Sequence, residues 1–132
     1  MLYKEFPFLK IEVEENDGLI ILTWNGKFNS SEKYRSAVIH SVEAVRKYKL
    51  KGWLADARNI DEIHPEDQKW TNENVLFPAY ALGITKVAIV IPESVYNHLA
   101  ISAIMVGGKG KYNFDSQYFL NLEDAYSWLK RA

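Results

Sequence analysis

The sequence predicts a single α/β domain built on a mixed sheet, and three observations predict it. Short apolar runs that read as strands alternate with longer segments whose apolar residues recur at helical spacing, the pattern of parallel strands joined by crossover helices. Two strands stand close together near the start, separated by the turn sequence Asn16-Asp17-Gly18, so the sheet opens with a hairpin and is mixed rather than purely parallel. The chain has 132 residues, the size of one domain and enough to bury a core without metal or disulfide staples. The expected order over residues 1–132 is ββαβαβαβα, about five strands and four helices.

Leu9-Lys10-Ile11-Glu12-Val13-Glu14 alternates apolar and charged residues, as a strand with one wet face does, and is expected at an edge. Leu19 to Trp24 is a more fully apolar second strand, closed by Asn25-Gly26. Asn29 is placed to cap a first helix with Glu32 as its reciprocal partner, and Tyr34, Val38, Val42 and Val45 form its apolar stripe up to Lys49. Trp53-Leu54-Ala55 reads as a central strand. A second helix then starts at Pro65, with His64 as its cap and Glu66 and Asp67 near the positive end of its dipole. Pro78 lacks an amide proton, so that helix should kink or restart there, and Gly83 ends it.

Lys86 to Ile91 is a continuous apolar strand of the kind covered on both faces, ended by Pro92. A third helix, about Val95 to Met105, is apolar on more than the one stripe a surface helix needs, so it is either deeply buried or faces a partner. Gln117 to Leu120 reads as a last strand. Asn121 with Asp124 caps a final helix whose Leu122, Ala125, Trp128 and Leu129 share a face.

Hydrophobic residues make up 48% and charged residues 25% of the chain, and the net charge is -1, so charge gives no reason to expect nucleic acid or an anionic membrane as partner. With no cysteine there is no thiol nucleophile, zinc-thiolate site or disulfide framework. Charged residues interrupt the N-terminal stretch before a signal peptide could form, and the densest apolar run, Leu99 to Val106, is far shorter than the roughly 20 residues of a membrane span. A cytoplasmic protein without a transmembrane segment is expected.

The stretch Gly52-Trp53-Leu54-Ala55-Asp56-Ala57-Arg58-Asn59, followed closely by His64-Pro65-Glu66-Asp67, marks the expected working edge. A strand end that leads at once into a helix N-terminus is where α/β folds place ligand and partner sites. Candidate contact residues are Asp56, Arg58, Asn59 and His64, with Trp70 and Tyr96 each early in a helix just beyond a strand. His64 among carboxylates could serve acid-base chemistry if burial moved one pKa, but Asp56 with Arg58 also reads as a structural pair and His64 as a cap. His40, His64 and His98 share no ligand spacing, so neither a metal nor another cofactor is expected. The run Gly107-Gly108-Lys109-Gly110-Lys111 follows a helix end instead of joining a strand to a helix, so it reads as a flexible loop and not a phosphate loop.

The hairpin, the capped first helix, the strand Trp53 to Asp56, the loop to His64-Pro65-Glu66-Asp67 and the strand Val87 to Ile91 together resemble the STAS superfamily. Within it the chain is most similar to SpoIIAA-like proteins, distant relatives of bacterial anti-sigma-factor antagonists. The antagonists have an Asp-x-Ser-type strand end and an Asp-Ser-Ser-Gly helix start whose serine is phosphorylated. Asp56 matches the strand-end acid, but His64-Pro65-Glu66-Asp67 stands where the serines would be. The resemblance therefore implies a regulatory binding module without the serine switch, and its likeness to CRAL-TRIO domains implies an apolar small molecule or lipid as an alternative ligand.

The expected function is thus a non-catalytic protein-interaction or ligand-binding module. Its partner is a protein or a second copy meeting the apolar third helix. The alternatives are a carrier or sensor of an apolar small molecule and a small enzyme using Asp56 and His64.

Overall fold

The computed structural model describes residues 1–107 and 114–131. Six strands form one sheet in chain order: β1 (Leu2–Phe6), β2 (Leu9–Glu14), β3 (Leu19–Gly26), β4 (Gly52–Ile60), β5 (Lys86–Val90) and β6 (Asp115–Phe119). The first three strands are antiparallel neighbours, and from β3 to β6 every pairing is parallel. The mixed α/β sheet is as expected; its strand count is six rather than five. The extra strand is β1, whose adjacent Lys4 and Glu5 are exposed and whose register slips between Leu2 and Lys4, so it carries little periodic signal.

That strand also moves β2 from the expected edge to the interior of the sheet. The wet face is real, since Leu9, Ile11 and Val13 are buried while Lys10 is exposed. A wet face, however, reports which side lacks a helix; it does not report whether a strand has one neighbour or two.

Helix α1 (Ser31–Tyr48) buries Tyr34, Ala37, Val38, Val42 and Val45 along the expected stripe. Its cap is Ser30 and not Asn29: Ser30 Oγ accepts from the amide of Lys33 at 3.1 Å, and Asn29 instead takes a positive φ of 71° that turns the chain into the helix. The second helical segment begins as α2 (Pro65–Thr71), loosens into a π-helical turn over Asn72–Leu76 and resumes as α3 (Phe77–Ala81). Pro78 supplies the reason, because it has no amide proton to continue the ladder. The amide of Phe77 reaches back five residues to the carbonyl of Asn72, the spacing of a π turn. With α4 (Val95–Gly107) and α5 (Leu122–Leu129), and the broken segment taken as one, the expected four helices are present. Residues 108–113, which include most of the glycine-lysine run, lie outside the described residues.

The core is two-sided. Residues of α1, the π turn, α3 and α4 pack with Ile11, Ile20, Leu22, Trp53, Val87 and Ile89 on one face of the sheet. On the other, Ala125 and Leu129 of α5 cover Leu19, Ile21, Leu54, Ala88 and Val90. Packing here leaves no room for a side chain at Gly52, where a Cβ would stand 2.5 Å from Leu19 Cδ2 of β3 and 3.4 Å from Leu129 Cδ2 of α5. Tyr126 on α5 donates to Glu14 Oε1 of β2 at 3.2 Å, which extends the cover of this small helix toward the hairpin.

Burial, reinforced by the negative charge and hydrogen bond of Glu14, pushes the Tyr126 hydroxyl up to about 12. Complete burial pushes Tyr34 up further, against the hydrogen bond with Thr71 that works the other way. Both groups keep their protons above the ordinary tyrosine value of 10.0, where an unfolded chain would release them. Their contribution to stability is therefore complete below about pH 10 and is lost as the pH rises through the folded values. Thermal melts should show Tm falling steeply from about pH 10 upward, and Tyr126→Phe should make the fall shallower; a Tm that stays level to about pH 11.5 would contradict this.

Candidate functional site

The parallel strands end in a region fed by the β3–α1 and β4–α2 connections, where the candidate residues fall. Along β4, Thr23 pairs with Asp56 but Asn25 pairs with Asn59, so β4 accommodates an extra residue between them. Such a bulge re-aims the residues at a strand end. Asp56 keeps the side-chain direction of Leu54, the face that α5 covers, and is buried. Its Oδ1 accepts from Arg58 Nε at 2.9 Å and its Oδ2 from Arg58 Nη2 at 2.8 Å, a bidentate pair closed over two residues. Asn59 beside it is exposed.

His64 lies elsewhere. It occupies the cap position of α2 and its carbonyl accepts from the amides of Asp67 and Gln68 at 2.9 Å, but its side chain makes no capping bond and is exposed. It borders a polar cleft of about 310 Å³ together with Lys27, Ser30, Ser31, Asp61 and Asp67. Asp56 does not line that cleft, and its carboxylate is held by Arg58. Asp61 accepts from the amide of Phe28 at 3.0 Å and so ties the β4–α2 loop to the β3–α1 loop.

The residue that organises this corner is Asp67, which the sequence presents only as a favourable acid at a helix start. Buried, it accepts from Ser31 Oγ at 2.7 Å through Oδ2 and from Arg35 Nε at 2.7 Å through Oδ1. The Arg35 guanidinium in turn lies 5.1 Å from the centre of the Trp70 ring, whose edge meets Tyr34. Tyr34 and Thr71 share a 2.7 Å hydroxyl bond, and Thr71 Oγ1 donates to the Asp67 carbonyl. Trp70 thus belongs to a structural network between α1 and α2. A signal existed in the four-residue spacing of Ser31 and Arg35, which puts both on one face of α1.

Beneath this network, between the sheet and the helices, lies a cavity of about 80 Å³ with Trp24, Trp53, Ile63, Val75, Ile101 and Ile104 among its walls. Tyr34 and Thr71 bring hydroxyls to its lining, and these bond each other at 2.7 Å. Among the described residues, no group of three or more His, Asp or Glu side chains is arranged to hold a metal ion.

The sixth candidate, Tyr96, is on α4. This helix buries Asn97, Ala100, Ile101 and Ile104, and Asn97 Nδ2 donates to the Ile60 carbonyl at the end of β4 at 2.8 Å. On its outer side Val95 is 74%, Leu99 64% and Val106 64% exposed, and Tyr96 is exposed beside them. Tyr118 of β6 joins this side: its ring lies 5.3 Å from that of His98, and its hydroxyl is 3.3 Å from Ser102 Oγ. Leu120, just past β6, is 79% exposed. From Val95 to Gly107 there is no Asp, Glu, Lys or Arg.

The six candidates therefore divide among the Asp56-Arg58-Asn59 strand end, α2 with His64 at its cap and Trp70 in its last turn, and the α4 surface with Tyr96. No protein-family model matches this chain, and no curated protein sequence matches it. No helix among the described residues is long and apolar enough to cross a membrane.

Asp67→Ala leaves Arg35 and Ser31 without their acceptor and should lower unfolding stability by about 2–4 kcal/mol, the cost of breaking a charge-assisted pair with one buried partner. Ser31→Ala removes one neutral donor and should cost under about 1.5 kcal/mol. Denaturant unfolding of both variants checks the order, and equal small losses would contradict the role given to Asp67.

Proposed function

We propose that this chain is a non-catalytic interaction module of the SpoIIAA-like kind, whose working surface is the outer side of α4 with the adjoining β6. One observation carries the reading: Val95, Leu99 and Val106 stand exposed along a helix without a charged residue. Contiguous apolar surface of this kind is uncommon on monomers unless it meets a partner. Burying a Val or Leu side chain contributes about 1.5–3 kcal/mol, so this patch can supply a large part of a reversible association.

The polar strand end contributes less in this reading, because the Asp56 carboxylate is taken by Arg58, and Trp70 is taken by Arg35 and Tyr34. Contact is steady and not switched by phosphorylation at the start of α2, where His64-Pro65-Glu66-Asp67 offers no hydroxyl.

The test is a photo-reactive side chain placed at Leu99, with the same group at exposed Lys33 on α1 as control, irradiated in the producing cell. An adduct of defined mass from position 99 that position 33 does not give is the expected result. Position 99 giving no more than position 33 would overturn the interaction reading.

A second reading, a carrier of an apolar small molecule, is favoured by the mostly apolar cavity under α2 and α4. At about 80 Å³ it suits only a ligand of a few heavy atoms, since a cavity of roughly 150 Å³ is what holds benzene. Xenon should bind there and perturb the methyl resonances of Ile101 and Ile104; a spectrum unchanged under xenon pressure would remove this reading.

A further inference from the structure

Among the described residues the sheet has two open ends, and they are built differently. At β1 the register slips between Leu2 and Lys4, and exposed Lys4 and Glu5 stand along the strand. Bulges and charges of this kind keep an edge from pairing with another chain. At β6 neither device is present. Its pairing with β5 is regular from Asp115 to Phe119, its sequence Asp-Ser-Gln-Tyr-Phe has no proline or lysine, and its one charge is on the first residue.

The hydrogen bonds to β5 fix which groups of β6 face outward. The Asp115 amide donates to the Thr85 carbonyl at 2.8 Å, and the Phe119 carbonyl accepts from the Ile91 amide at 3.0 Å. Alternation along a parallel ladder then directs Asp115, Gln117 and Phe119 toward β5, and the amide and carbonyl of Ser116 and Tyr118 away from it. Among the described residues no strand lies beyond β6.

We infer that the partner of the α4 surface is a second copy of this chain, joined through antiparallel pairing of β6 with β6 across a two-fold axis. The inference rests on the interaction reading above and supplies its partner. An axis at Gln117 sets Ser116 opposite Tyr118 of the partner subunit, and Tyr118 opposite the partner's Ser116. These are the residues whose backbone groups face outward, so each facing pair exchanges both of its hydrogen bonds. Asp115 falls opposite the partner's Phe119, so the register places no like charges together.

The helices agree with this arrangement. Tyr118 ties the edge to α4 through His98 and Ser102, so pairing at β6 brings the Leu99 and Val106 side of one α4 toward that of the other. A charge-free face does not repel its own copy, and it offers nothing by which a partner of opposite charge would be selected. Two-fold association of identical patches is the commonest form of assembly.

The experiment is sedimentation velocity on the full chain from about 1 μM to 1 mM, the range in which modest interfaces associate. Three proteins are compared: the unaltered chain, Leu99→Glu and Ser116→Pro. Proline at Ser116 deletes an outward amide and leaves the β5 ladder bonds in place. The unaltered chain should reach a dimer, and each substitution should weaken it by at least about tenfold with Tm little changed, a loss of about 1.4 kcal/mol. A monomer throughout the range, or a dimer that Ser116→Pro leaves intact, would overturn the inference. If Ser116→Pro fails to fold, amide exchange in the unaltered dimer decides: slowed exchange at Ser116 and Tyr118 supports strand pairing, and fast exchange refutes it. A monomer whose position 99 still captures a chain of different mass overturns the inference alone; one whose position 99 captures nothing overturns the interaction reading as well.

Discussion

Everything in this fold answers to one constraint on β4, a strand with apolar side chains on both faces. Trp53 and Ala57 enter one core cluster and Leu54 enters the other, and all three are buried. Neither face of such a strand can be left to water, so helices must lie on both sides of the sheet. The chain meets the demand unevenly. Three helical segments cover one face, while the eight-residue α5 alone closes the other over β3, β4 and β5. Cover by α5 ends at β2, whose outer face is populated by Lys10, Glu12 and Glu14, with Tyr126 holding Glu14 at the border.

The same constraint explains the polar corner above β4. Covering the first face brings the starts of α1 and α2 together, and both are positive ends of helix dipoles. A buried carboxylate between them offsets that repulsion and satisfies donors that would otherwise be stranded. Asp67 accepts from Ser31 at the first position of α1 and from Arg35 one turn later, while it sits in the first turn of α2. Its full engagement makes it a brace and not a reactive group. Asp56 is likewise engaged, closed off by Arg58 two residues along the same strand. Both carboxylates are thus taken up in ion pairs, Asp67 between two helices and Asp56 within its own strand.

What was legible from the sequence follows the range of the interaction concerned. Element order, the stripe on α1 and the break near Pro78 depend on residues a few positions apart, and each is visible in the chain as written. The π turn is the form that break takes, with Phe77 reaching Asn72 instead of its usual partner. Asn29 and Ser30 both suit a cap, and only the positive φ of Asn29 decides between them. The role of Asp67 was hidden because its partners are 36 and 32 residues away, on a helix whose packing partner no local pattern names. Asp56 and His64 stand close along the chain, but the structure gives them different surroundings, Asp56 paired with Arg58 and His64 at the polar cleft. Strand β1 escaped because an edge strand needs pairing more than burial, and pairing leaves no periodic mark.

Helix α4 is where the sequence asks more than the fold requires. Covering the sheet uses Ala100, Ile101 and Ile104, and the Asn97 amide fastens the helix to the end of β4. Val95, Leu99 and Val106 take no part in that work and remain exposed, a cost in solubility that polar residues would have avoided at no loss to the core. The neighbouring edge shows a parallel omission, for β6 lacks the bulge of β1 and has its one charge at the first residue instead of along the strand. Each feature alone would be a minor departure from good surface design. Their meeting at Tyr118, which belongs to the strand and touches the helix, makes them parts of one surface, the one on which the proposed association rests.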